Sequence, residues 1–201
     1  MSRVVHVDPA DPSPAVVERA AAELRADGLV AFPTETFYGL GAAALQPSAV
    51  RRVFAVKGRA EGKPLLVLVD SVAMAERVAA TIPAPARALM ARHWPGALTL
   101  VLPARPEVPV EVTAGSGTIG VRLSAHPVAR ALVSALGAPI TAPSANLADQ
   151  PPPTTAAGVV AYFGAAALVI DGGTTPGGEP STVLDVTVDP PRLIRAGAVR
   201  L

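Results

Sequence analysis

The chain has no cysteine and few aromatic residues (3 %), and its 17 basic residues nearly balance 16 acidic ones, for a net charge of +1. Without cysteine there is no disulfide framework, no thiol nucleophile and no cysteine-ligated zinc. His6, His93 and His126 are too scattered along the sequence to suggest a histidine-based metal site. Scarce aromatics leave few stacking platforms for single-stranded nucleic acid. The charges form neither an acidic block nor a basic tail, so global charge points to no partner. No uncharged stretch reaches membrane-spanning length, and "MSRVVHVDPADPSP" lacks an apolar run of signal-peptide length. We therefore expect a soluble, cytoplasmic protein with no membrane partner. Half of the 201 residues are hydrophobic, chiefly Ala and Val, which is enough to bury a sizeable core. One domain over residues 1–201 is expected.

What is present reads as helices alternating with short apolar strands. Ser13-Pro14 marks a helix start, Val17, Ala20, Ala21 and Leu24 share one face, and Gly28 stops the helix before the strand "LVAF". The pattern recurs in "PSAVRRVFAVKG" followed by "PLLVLV". "SVAMAERVA" and "APARALMARHW" read as helices, with Pro95-Gly96 closing the second ahead of "ALTLVL". After the loop "PARPEVPVEVTAGSG" come the strand "TIGVRL", the helix "HPVARALVSALG", the strand "APITAPSAN", the helix "TTAAGVVAYFG" and the strand "AALVIDGG". "STVLDVT" and "RLIRAG" should pair antiparallel. The order predicts a single-domain α/β fold with a twisted mixed parallel/antiparallel sheet flanked by helices.

Three stretches carry candidate chemistry. Only two lysines occur, Lys57 and Lys63, and with Arg59 they place three cations within seven residues, a pattern suited to a polyanion. Lys57 and Arg59 also have a bland explanation as charges at a helix C-terminus. "FPTETFYGLGA" sets Thr34, Glu35, Thr36 and Tyr38 between a proline and two glycines, as a ligand pocket or an ordinary turn would. "TAPSAN" delivers Thr141, Ser144 and Asn146 to a strand end, where α/β sheets bind ligands, or else it caps a turn. Neither a phosphate-loop nor a dinucleotide fingerprint is present. His126, before a proline at a helix start, reads as structural, and His93 and Trp94 read as packing.

These stretches, taken in order, resemble the YrdC/Sua5 family, the threonylcarbamoyl-AMP synthases of tRNA modification. The resemblance runs through "VAFPTETFYGLGA", "FAVKGRAEGKPL", "HWPGALTLVL", "GTIGVRLSAHP", "PITAPSANLADQPPPTT", "STVLDV" and "LIRAGAV". Lys57/Arg59 and Ser144/Asn146 look like its Lys-x-Arg and Ser-x-Asn signature. The resemblance implies a concave basic pocket in which L-threonine, bicarbonate and ATP, with Mg2+ accompanying the nucleotide, give L-threonylcarbamoyladenylate, pyrophosphate and water. It implies that Arg59, Lys63, Thr118, Ser144 and Arg195 contact ATP, with the backbone near Ala142 helping. Thr36, Arg122 and Ser181 would hold threonine, and Lys57 and Asn146 would complete the polar pocket on the ATP side. No side chain is assigned as an acid or base. The product would feed a complex that transfers threonylcarbamoyl to A37 of tRNA, with room for weak tRNA binding by this chain.

Two departures matter. Lys63 stands where longer members often have Asn, and Leu68 stands where many have a histidine that contacts threonine. The chain also stops soon after "LIRAGAVRL", as expected of the short form without a further C-terminal domain. Leu68 keeps open a relative that makes another carbamoyl-adenylate, and a non-catalytic RNA-binding module or an inactive paralogue are further alternatives. With Lys57 and Arg59 placed on a surface loop, alanine at either should cut adenylate formation while leaving the far-UV spectrum intact.

Overall fold

The apolar stripe of the first helix faces inward. Val17, Ala20, Ala21 and Leu24 are buried, while their neighbours Glu18, Arg19 and Glu23 stay near solvent. The same logic builds each layer of the computed structural model, which describes residues 3–58 and 62–201. In chain order the elements are β1 (Arg3–His6), α1 (Pro14–Arg25), β2 (Val30–Pro33), β3 (Tyr38–Gly41), α2 (Pro47–Lys57), β4 (Leu66–Leu68), α3 (Val72–Glu76), α4 (Ala84–His93) and β5 (Leu98–Pro103). They continue with α5 (Val110–Thr113), β6 (Thr118–Arg122), α6 (Pro127–Leu136), β7 (Ile140–Thr141), α7 (Ala156–Phe163), β8 (Leu168–Asp171), β9 (Thr182–Asp185) and β10 (Arg192–Arg195).

The mixed parallel/antiparallel α/β arrangement is the one expected, and its strands divide into two sheets. A four-stranded sheet runs β1-β8-β2-β3 and a six-stranded sheet runs β10-β9-β5-β6-β4-β7. In the larger sheet β6 lies between antiparallel β5 and parallel β4. The final hairpin, β9 with β10, is antiparallel as expected.

Residues 142–146 stitch the two sheets together. Gly39 bridges Ser144, Leu40 N–H donates to Pro143 O, and Ala145 N–H donates to Tyr38 O. The strand expected over "APITAPSAN" therefore shortens to Ile140–Thr141, because Pro143 offers no N–H to a ladder and the chain turns to span both sheets. Gly41 serves the same junction: a Cβ there would lie 2.7 Å from Ile140 Cγ2 and 2.8 Å from Phe32 Cε1. The missing Cβ makes room for the Ile140 and Phe32 side chains, not for a ligand. Gly41→Ala should cost about 1–3 kcal/mol through overpacking, read as a lower denaturant midpoint with an unchanged slope.

Two short elements went unread in the sequence, β1 and α5. Both are one-turn or four-residue segments that form on a template: β1 pairs with β8, and α5 is tied down by Leu65 N–H donating to Val112 O. Among the described residues, no helix is long and apolar enough to cross a membrane.

Candidate functional site

One face of the larger sheet is the floor of a cleft of about 930 Å³. The register fixes which side chains share that face. Leu68 is paired with Arg122, Leu66 with Gly120, and Val101 with Gly120, while Thr99 is paired with Val183 and Val183 with Arg195. All of these line the cleft. Its walls come from the loops around Thr36, Ser144 and Ser181.

Of the candidates from the sequence, Thr36, Thr118, Arg122 and Ala142 line this one cleft, and so do Ser144, Asn146, Ser181 and Arg195. Lys63 is exposed beside Pro64, which lines the cleft, without lining it itself. Arg59 lies outside the described residues.

Lys57 is not on a surface loop. It closes α2 one turn beyond Val53 and Phe54, both buried, so helical periodicity turns its side chain inward and leaves it 3 % exposed. Its ammonium donates to Ser144 O at 2.6 Å and to Asn146 O at 2.5 Å. The chain leaves the helix through Gly58 in the left-handed conformation (φ 59°), as glycine permits. Lys57 thus clamps the backbone of the Ser144–Asn146 turn from behind the cleft. Asn146 is held further by Nδ2 donating to Leu147 O and Gln150 O, each at 2.7 Å. Its buried Oδ1 has no hydrogen-bond partner among the described residues.

On the floor, Arg122 (5 % exposed) meets Glu35, with 2.7 Å between Nη2 and Oε1. Those two atoms are not aligned as donor and acceptor, so the contact is an ion pair without a directed hydrogen bond. Charge attraction does not need that alignment. Arg122 Nε also donates to Gly96 O at 3.2 Å, and Ser124 Oγ donates to Glu35 Oε2. His126 Nδ1 accepts the Val128 N–H, which makes it the cap of α6, as its position before Pro127 suggested. Burial lowers the His126 pKa against the raising effect of Glu35.

Burial alone would raise the Glu35 carboxyl, but the Arg122 charge and the Ser124 and Arg122 contacts outweigh it and hold the pKa below its ordinary 4.5. A folded-state value below the unfolded one means stability that is present above about pH 4.5 and lost as pH falls through the folded value. Glu35→Gln should remove that limb. Urea melts from about pH 7 to about pH 3 should show the wild type losing its advantage over the variant only at the acid end.

Arg195 lies on the same side of the sheet. Its Nε and Nη2 donate to Ser181 O at 3.0 and 2.8 Å, and Nη2 donates to Ser181 Oγ at 2.9 Å. Ser181 Oγ and Thr99 Oγ1 are hydrogen-bonded at 3.0 Å, and either hydroxyl can be the donor. Burial and then the Arg122 charge push the Arg195 pKa down. Two guanidinium groups close enough to repel line one cleft, with Glu35 paired to Arg122 and Asp149 also on the lining, and the paired cations favour an anionic ligand.

Hydroxyl polarity adds a complement. Thr34 Oγ1 donates its proton to Phe37 O at 2.7 Å, so in its 3.1 Å contact with Thr36 Oγ1 the latter must donate. Thr36 then turns its lone pairs to the cleft as an acceptor. Acceptors at Thr36 and Asn146 facing cations at Arg122 and Arg195 suit a ligand with both N–H donors and negative charge.

Sequence reasoning missed Thr99, a polar residue inside the apolar run "ALTLVL". A lone hydroxyl in an otherwise buried strand was the available signal. The fold and the cleft define an α/β protein with an anion-receptive groove on one sheet face. The family model for Sua5_yciO_yrdC, described as "Telomere recombination", matches residues 22–197, and the chain belongs to this family. It is 45 % identical over 185 residues to the threonylcarbamoyl-AMP synthase of Bacillus subtilis, covering 91 % of this chain and 54 % of that protein. To the threonylcarbamoyl-AMP synthase of Pyrococcus abyssi it is 46 % identical over 183 residues, covering 90 % of this chain and 54 % of that protein. A crystal structure of P. abyssi Sua5 complexed with L-threonine matches with a TM-score of 0.93 at 44 % identity, over 96 % of this chain and 57 % of that one. The chain spans about half the length of these relatives.

Proposed function

We propose that this chain forms L-threonylcarbamoyladenylate and pyrophosphate from L-threonine, bicarbonate and ATP, as a nucleotidyltransferase. The observation that carries the reading is the convergence of Thr36, Thr118, Arg122, Ser144, Asn146 and Arg195 on one cleft in a chain about 45 % identical to threonylcarbamoyl-AMP synthases. Arg122 takes the threonine carboxylate through its planar fork, while Thr36 accepts from a donor on the amino acid and Ser181 completes that side. Thr118, Ala142, Ser144 and Arg195 face the nucleotide, and Arg59 and Lys63 are the further cations that contact ATP. Lys57 supports the same side by fixing the turn that carries Ser144 and Asn146.

The chemistry asks for alignment more than for an acid or base. Threonine and bicarbonate give a carbamate with loss of water, and a carbamate oxygen attacks the α-phosphorus while pyrophosphate departs. Both reactants are anions, so fixed cations in a partly dry cleft lower the cost of bringing them together. Among the described residues no group of three or more His, Cys, Asp or Glu side chains could hold a metal ion. The residues present therefore suit a Mg2+ that stays with the triphosphate, where it would neutralise phosphate charge, and not one held in a protein cage. The product would pass to a tRNA threonylcarbamoyl-transfer complex acting at A37.

The buried Leu68 lines the cleft directly beside Arg122 and keeps a different acceptor amino acid in view. Pyrophosphate release from Mg-ATP and bicarbonate, compared without amino acid, with L-threonine and with serine, tests both points. Release that requires threonine and is weaker with serine is expected. Release indifferent to the amino acid would overturn the assignment of threonine as acceptor.

A further inference from the structure

Gly120 is the midpoint of β6, and its position raises a question that the fold does not answer. Along β6, Thr118, Gly120 and Arg122 face the cleft, while Ile119 and Val121 are buried on the other side. β6 has a strand on each flank. In the interior of a sheet, glycine is the weaker choice, since it packs nothing and loses the most freedom on folding. Gly120 is not among the residues with positive φ. Nor does crowding demand it: a Cβ there would meet Thr99 Cγ2 at 3.4 Å and Leu66 Cβ at 3.5 Å, ordinary contacts.

What the missing side chain leaves is open height above the floor, midway between Thr118 and Arg122. Those two residues are about 13 Å apart along the strand, at about 3.3 Å per residue. Resting on the proposed function, the nucleotide occupies the Thr118 end and the threonine carboxylate the Arg122 end, so the reacting groups meet above residue 120. We infer that Gly120 lies beneath the point where the carbamate oxygen reaches the α-phosphorus, and that the lack of a side chain there lets the two substrates close. The step forms the new oxygen–phosphorus bond and breaks the bond from the α-phosphorus to the bridging oxygen. The electron pair leaves with pyrophosphate, and the anionic carbamate has no proton to shed. Gly120 acts here as a positioning residue, through shape alone.

The inference separates turnover from binding and from stability. Gly120→Val and Gly120→Ala are made in the full chain. Melting temperature, separate calorimetric affinities for Mg-ATP and for L-threonine, and threonine-dependent pyrophosphate release are then measured. Both variants should melt at or above the wild-type temperature, because a side chain favours the strand. Gly120→Val should keep each affinity within about threefold while turnover falls about 100-fold, the scale expected when reacting atoms are misplaced by about an ångström. Gly120→Ala should show a smaller fall, again in turnover and not in affinity. Wild-type turnover in the valine variant would overturn the inference, as would a turnover loss matched by lost affinity for one substrate. If the valine variant fails to fold, unchanged turnover in the alanine variant overturns it equally. A wild-type chain with no threonine-dependent release overturns the underlying function and this inference with it, whereas an active wild type with an equally active valine variant overturns the inference alone.

Discussion

Lys57→Ala is expected to lose stability and turnover together. The substitution removes the donor shared by Ser144 O and Asn146 O, and a buried carbonyl left without a partner costs about 1–3 kcal/mol. With the void left by the stem, a total of about 3 kcal/mol is expected, or a melting temperature lower by about 6–12 °C in a chain of this size. Turnover should fall even well below the melting temperature, because the turn that carries Ser144 and Asn146 loses its clamp. A surface cation contacting phosphate would behave differently, with affinity for Mg-ATP lost and the melting curve unmoved. A variant that melts with the wild type would therefore return Lys57 to the role its sequence position first suggested.

The second large effect concerns Arg122. Arg122→Ala leaves the Glu35 carboxylate facing a mostly buried site without its counter-charge, a loss of about 3 kcal/mol by analogy with other broken buried pairs. The same change removes the group assigned to the threonine carboxylate, so threonine affinity and turnover should both collapse. Glu35→Ala combined with Arg122→Ala separates the two roles. Removing both charges should restore a large part of the stability, since a missing pair costs less than a widowed charge. It should restore no turnover. Recovery of turnover in the double variant would show that Arg122 serves the fold and not the substrate.

Much of this site was legible in the sequence, for a definite reason. Thr118 and Arg122 fall on alternate positions of a short strand, so once "TIGVRL" is read as a strand they must share a face. Ser144 and Asn146 sit past a strand end, where such sheets present loops to ligands. Lys57 was harder. A lysine in the last turn of a helix looks the same whether it complements the helix dipole in solvent or turns inward, and only the burial of Val53 and Phe54 on its face decides between them. Glu35 was visible as a residue, but its pairing with Arg122 spans 87 positions and depends on how two sheets meet. Long-range pairing also explains why the strands divide into two sheets. Periodicity within a segment says which face is buried, whereas the choice of neighbour depends on crossovers that no local pattern records.

The stabilities of fold and site are coupled through the same residues. The segment 142–146 joins the sheets and presents Ser144 and Asn146, so the contacts that hold the fold together also set the cleft wall. The variants that separate these roles are accordingly those that alter shape without breaking a buried contact, such as the substitutions at Gly120.

The most direct test of the account is mass-spectrometric detection of the product after incubating the wild-type chain with Mg-ATP, L-threonine and ¹³C-labelled bicarbonate. The account predicts threonylcarbamoyladenylate carrying the label in its carbamoyl carbon, formed with pyrophosphate and absent when threonine is omitted. Pyrophosphate without a labelled threonine adduct, or no turnover of ATP at all, would contradict it.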